Sequence, residues 1–245
     1  MSESSEVTPA RTPPELKRLF VAVRVSVPTA NALASAAETL ARRARDAGFD
    51  VRWTAPVSYH VTLCFLGHTR VDAITAITDA LDQAARGTKD FKLKTSRLGA
   101  FPALDQPRVI WAGVEDQTGE LAALAERVGT AMERLGYGDR TPFHPHVTIG
   151  RVKEVSAKLS SLKEVVLPLA EQMFGDSRIE AITLVESETK STGSVYRDVH
   201  RAAFKTAVSQ GPESVKRQTG ALPLGTPGEP VERDTDDGWP RGHDS

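Results

Sequence analysis

Two segments of this chain carry one pattern, His60-Val61-Thr62-Leu63 and His146-Val147-Thr148-Ile149. Polar and apolar residues alternate in both, which suits a β-strand, where positions i and i+2 share a face. Each strand then presents an imidazole beside a hydroxyl and turns its aliphatic residues toward a core. That demands a sheet packed on one face and accessible on the other. A lone His-x-Thr says little. Two copies with apolar residues at both intervening positions are rarely expected by coincidence from this chain's own His, Thr and apolar frequencies.

Strict alternation extends these faces. It sets Cys64 with His60 and Thr62, toward the open face, and Phe65 with Val61 and Leu63, toward the core. In the second segment it puts Arg151 on the core side, where an unpaired guanidinium is untenable. The strand is therefore expected to end or bulge near Gly150, and glycine suits such a break.

The surrounding sequence alternates strands and helices. Strands are expected over 19–23, 60–66, 91–98, 109–114, 146–150, 179–185 and 195–204. Helical spacing runs over 29–47, 71–85 and 119–135, with Gly48 and Gly136 as stops. This predicts an α+β domain over 17–205 with helices packed outside the sheets. Each half supplies one His-x-Thr strand and a helix to cover strands, a weak internal echo that would set the two motifs across a cleft. Residues 1–16 and 206–245 are polar and rich in Pro or Gly, so both are expected to be disordered. Trp239 in the tail reads as a stray aromatic rather than a docking element.

Composition excludes several classes. The net charge is −1, so any RNA contact should be local, a cleft or an end, rather than a charged surface. A single cysteine, Cys64, rules out an internal disulfide and a Cys-rich zinc site. The chain shows neither the apolar run of a signal peptide nor a membrane-spanning stretch, which reads as soluble and cytoplasmic.

Imidazoles titrate near neutrality. Two across a cleft can take a proton from a nucleophile and give one to a leaving oxygen. The threonine hydroxyls can donate to phosphate oxygens as charge builds on them. In-line displacement at phosphorus needs such opposed groups.

At these residues the chain resembles the 2H phosphoesterase superfamily, and within it the RNA 2′,3′-cyclic phosphodiesterases, historically called 2′-5′ RNA ligases. The matching pieces begin with Arg18-Leu19-Phe20-Val21-Ala22, Val51-Arg52-Trp53 and the first motif through Gly67. They continue with Gly99-Ala100-Phe101-Pro102, Pro107 to Trp111, and Phe143-His144-Pro145-His146 through Arg151. Leu184 to Ser187 and Gly193 to Tyr196 close the match. The resemblance implies a bilobal fold, two pseudo-symmetric lobes whose antiparallel sheets line a central cleft. It implies His60 and His146 as the acid/base pair, Thr62 and Thr148 as phosphate-binding hydroxyls, and Arg151 as a further phosphate ligand. The expected reaction opens a terminal 2′,3′-cyclic phosphate of RNA to a 2′-phosphate, without metal or cofactor. By that analogy His60 protonates the leaving 3′ oxygen and His146 activates water. The same groups could join RNA ends through a 2′-5′ bond. A monomer acting on RNA ends or nucleotides carrying a cyclic phosphate, with no membrane contact, is expected.

Four positions invite separate readings. Trp53 and Phe143 lie near the motifs and could stack on a base, although core packing is the more ordinary role. Cys64 stands where a longer polar residue is common in the family, and His68 reads as an exposed loop residue.

Two rivals remain open. His144, His146 and His60 could ligate zinc, but Pro145 makes regular strand geometry at His144 doubtful and no carboxylate lies near either motif. A non-catalytic RNA-end or nucleotide-binding module would keep the same pocket without turnover.

Overall fold

The computed structural model describes residues 14–138, 142–155, 162–190 and 193–204. The expected tail over 206–245 and most of the expected lead-in lie outside them. The first strand, β1 (Leu16–Arg24), starts one residue before the expected domain boundary, and Glu15 already accepts a backbone hydrogen bond from Val71.

After β1 come α1 (Val27–Asp46), β2 (Phe49–Trp53), β3 (His60–Arg70), α2 (Ile74–Ala85), β4 (Phe91–Phe101) and β5 (Val109–Glu115). Then follow α3 (Glu120–Arg134), β6 (His146–Val155), α4 (Leu162–Val166), β7 (Met173–Ile179), β8 (Ala181–Lys190) and β9 (Gly193–Ala203). Helix α1 illustrates why such elements form here. Ser26 caps its N-terminus with its hydroxyl, Pro28 occupies the first turn, and Arg43 and Arg45 sit near the negative end of the helix dipole. Its buried residues Leu33, Ala37, Leu40 and Ala44 recur at the helical period.

Strand β2 is absent from the expected set, although Phe49, Val51 and Trp53 alternate with the exposed Asp50 and Arg52. The expected strand over 179–185 straddles a real boundary: β7 ends at Ile179 and β8 begins at Ala181.

All strand pairs are antiparallel, in one sheet of order β7-β4-β5-β6-β3-β1-β8-β9, with β2 beside the far end of β6. The two expected sheets are thus halves of a single curled sheet. They meet at one residue pair, Val61 opposite Val147, at the centre of the two His-x-Thr motifs. Both valines are fully buried. Helices α1, α2 and α3 cover one face, where Leu33, Leu40, Ile77, Leu81, Leu121 and Leu124 join the main core. Among the described residues, the buried apolar cluster on the opposite face is small: Phe20, Ala22 and Val185, with Tyr196 against it. Among the described residues, no helix is long and apolar enough to cross a membrane.

The halves match residue for residue around the Val61–Val147 pair. On one side β1 flanks β3, with Ala22 opposite Thr62 and Val21 opposite Cys64, so Leu63 is an unpaired extra residue. On the other side β5 flanks β6, with Trp111 opposite Thr148 and Ile110 opposite Gly150, so Ile149 is the extra one. Each motif is followed at once by a β-bulge. A bulge of one residue reverses which face later side chains occupy.

Candidate active site

The bulges decide what enters the cleft. In β6 the reversal buries Ile149 and Gly150 in succession and brings Arg151 out to the open face. The strand therefore bulges where the parity of Arg151 required it, and continues to Val155. In β3 the same device acts on Leu63 and Cys64, which are both buried, and it turns Phe65 outward. Cys64 is therefore not in the cleft. It sits in the core beside Gly138 and does not line the cleft, which overturns the expectation of a cleft-facing thiol. Phe65, expected in the core, is 50% exposed and lines the cleft instead. His68 is exposed as expected, but on the continuing strand rather than a loop.

The cleft encloses about 480 Å³ and brings together His60, Thr62, His146, Thr148 and Arg151. Arg18, Phe20, Phe65, Phe101 and Tyr196 share its walls, with hydroxyls from Thr54, Ser187, Thr189 and Ser194. Among the described residues, no carboxylate lines it. Trp53 and Phe143 do not line it either. Both are partly buried against the main core, and the indole of Trp53 lies over Gly150, where any Cβ would meet its ring at 3.1 Å. Both rings thus pack on the core rather than lining the cleft.

The imidazoles are held alike. His60 Nδ1 lies 2.6 Å from the carbonyl oxygen of Ser58, and His146 Nδ1 lies 2.7 Å from that of His144. A carbonyl can only accept, so each Nδ1 carries the proton. Each Nε2 is then the nitrogen that gains or loses one. The carbonyls come from the short turn Pro56–Ser58 and from the segment before Pro145. His144 thus contributes its backbone to this arrangement, while its side chain is absent from the cleft lining.

Aromatic rings fix the rest of each imidazole's orientation. Phe20 stacks on His60 at 4.8 Å, and Tyr196 meets the same imidazole edge-on at 5.5 Å. Phe101 meets His146 edge-on at 5.0 Å, and Trp111 supports Phe101 at 5.2 Å. Trp111 in turn lies flat over Gly99, where a Cβ would come within 2.3 Å of its ring. Glycine at that position lets the stack reach His146.

This packing shapes the titration. Burial pushes the His60 imidazole down to about 4, and the neighbouring Arg24, His146 and Arg151 charges act in the same direction. Burial also lowers His146, again helped by Arg151. The hydrogen bonds to the two carbonyls oppose both shifts. An anion in the cleft would oppose them further, since it favours the imidazolium form.

Sequence reasoning did not place Arg18, Phe20, Phe65, Phe101 and Tyr196 in the cleft. Alternation along β1 does put Arg18 and Phe20 on one face. Apolar Phe20, however, reads equally well as part of a buried strand.

Comparison with known proteins gives concordant results. The family described as the 2′-5′ RNA ligase superfamily matches residues 31–190. An RNA 2′,3′-cyclic phosphodiesterase of Thermotoga maritima is 30% identical over 189 residues, covering 77% of this chain and 96% of that protein. A protein of the same description from Aquifex aeolicus is 33% identical over 148 residues, covering 59% and 77%. A crystal structure of a Thermus thermophilus protein superposes with a TM-score of 0.64 at 27% identity, covering 76% of this chain and 97% of that one.

Proposed function

The chain belongs to the 2′-5′ RNA ligase superfamily, and we propose that its cleft opens RNA 2′,3′-cyclic phosphates by moving protons between His60 and His146. The activity is cyclic phosphodiester hydrolysis. One observation carries the residue roles: two imidazoles, each with Nδ1 tied to a carbonyl, share a cleft with two threonine hydroxyls and an arginine, and with no carboxylate among the described residues.

In this reading the cyclic phosphate lies between the imidazoles. His146 Nε2 takes a proton from water as its oxygen attacks phosphorus. The P–O3′ bond breaks, and His60 Nε2 gives its proton to O3′. The products are a 2′-phosphate and a 3′-hydroxyl, and solvent exchange resets the two protons. Thr62, Thr148 and Arg151 hold the non-bridging oxygens. If the 5′-hydroxyl of a second RNA takes the place of water, the same steps form a 2′-5′ bond without ATP. Phe65 is the exposed ring best placed to receive the terminal base.

The proposed catalytic unit is residues 17–205, a monomer in the cytoplasm. A single cysteine fits a reducing compartment. The zinc and binding-module alternatives are addressed by turnover. RNA ending in a 2′,3′-cyclic phosphate should be consumed at an undiminished rate in buffer containing chelator. Loss of activity with chelator and return with zinc would replace this mechanism. Binding without product would make the protein a module.

The pH dependence has a defined sign. Both imidazoles sit below 6.5 in the free protein, so kcat/KM should fall as pH rises through and above that region, as the acid loses its proton. Bound substrate is an anion and raises imidazole pKa values. The alkaline limb of kcat should therefore lie at higher pH than that of kcat/KM. A kcat limb at equal or lower pH would contradict the placement of phosphate between the two rings.

A further inference from the structure

We infer that Arg18 and the hydroxyls beside it form a second phosphate site, which holds the phosphate on the 5′ side of the terminal ribose. This rests on the proposed cyclic phosphodiesterase reading and extends it to the length of the substrate.

Alternation along β1 divides its residues cleanly. Leu19, Val21 and Val23 are buried in the main core, whereas Arg18 and Phe20 line the cleft. The adjacent cation, Lys17, is neutralised by Glu186 at 3.1 Å. Arg18 has no ion pair among the described residues, and no carboxylate among them shares its cleft. Its guanidinium therefore adds an uncompensated charge that the two-histidine chemistry does not use.

Leu19 pairs with Glu186, so the antiparallel register carries Arg18 alongside Ser187. Across the β8–β9 hairpin, Thr189 pairs with Ser194. Ser187, Thr189 and Ser194 all line the cleft, and none of their hydroxyls hydrogen-bonds another described group. An arginine fork among unpaired hydroxyls matches the donor pattern that a phosphate accepts.

Spacing selects which phosphate. Phe20 stacks directly on His60, at 4.8 Å. The Arg18 backbone lies two residues further along β1, about 7 Å from that of Phe20 at the rise of an extended strand. That is close to the span of one ribose between successive phosphates. With the cyclic phosphate at the imidazoles, the next phosphate toward the 5′ end reaches Arg18. A nucleoside 2′,3′-cyclic phosphate lacks that group. A 5′-phosphorylated mononucleotide and an RNA chain both possess it.

Three substrates separate these sources: adenosine 2′,3′-cyclic phosphate, the same compound with a 5′-phosphate, and the dinucleotide ending in the cyclic phosphate. Both substrates with the extra phosphate should show about 10-fold higher kcat/KM, mostly through KM. In Arg18→Gln the ratio should collapse toward one, while Arg18→Lys should retain part of it. Arg42→Gln, on the surface of α1, should leave the ratio as in the wild type. A gain with the 5′-phosphate alone would support the site and assign it to mononucleotide ends. A gain only with the dinucleotide would credit the second nucleoside and overturn the proposal. A ratio near one in the wild type, or a ratio that survives Arg18→Gln, would also overturn it. Failure of the wild type to turn over any of the three would instead count against the cyclic phosphodiesterase reading.

Discussion

Replacing either His60 or His146 by alanine should lower kcat by ~10²–10⁴-fold with little change in substrate binding. The expectation follows from geometry that treats the two residues alike. Each Nδ1 is committed to a carbonyl, so each ring has one nitrogen left for chemistry. The variants differ in what rescues them. A substrate whose leaving 3′ oxygen is replaced by sulfur departs without needing protonation. It should restore much of the rate to the variant lacking the acid, assigned to His60, and none to the variant lacking the base, assigned to His146. The free protein leaves His60 largely unprotonated near neutrality, because burial and the surrounding cations hold it near 4. Its acid role therefore draws on the bound phosphate anion to restore the proton. Sulfur rescue of the His146 variant alone would exchange the two roles. Wild-type turnover by either alanine variant would remove that residue from the mechanism.

Arg151→Gln should cost ~10²–10³-fold in kcat/KM, the range seen when a donor to a developing oxyanion is lost. The side chain reaches the cleft only because Ile149 is an extra residue opposite β5. Lysine at this position should recover part of the loss, since it restores the charge but not the planar fork. Steady-state kinetics with circular dichroism on each variant separates lost transition-state contact from lost fold. An Arg151→Gln protein with unchanged kcat/KM and an intact fold would take the guanidinium out of the phosphate site.

The two bulges also mark how far the sequence can be read. Alternation places His60 with Thr62 and His146 with Thr148, and those pairs do share the cleft. One residue later it fails in both strands, because an extra residue in a ladder leaves no trace in hydropathy when its neighbours are apolar. Arg151 exposes the problem through its charge, which forbids burial. Phe65 gives no such warning, since an aromatic ring is at home on either face. Cys64 is small enough to suit either face, and alternation picks the wrong one. The joining of both halves into one sheet is equally hidden, because it rests on the single Val61–Val147 pair. Trp53 illustrates the reverse limit: its position near a motif suggests a ligand role, while the glycine opposite it, Gly150, holds it as packing.

The central claim is that this cleft breaks the bond from phosphorus to the 3′ oxygen by proton transfer between two histidines. The direct measurement is product identity: a short RNA ending in a 2′,3′-cyclic phosphate is incubated in chelator and resolved against authentic 2′- and 3′-phosphate standards. A 2′-phosphate product, formed by the wild type and absent with His60→Ala and His146→Ala, is the predicted result. A 3′-phosphate product, or a 2′-phosphate that both variants still form at the wild-type rate, would contradict it.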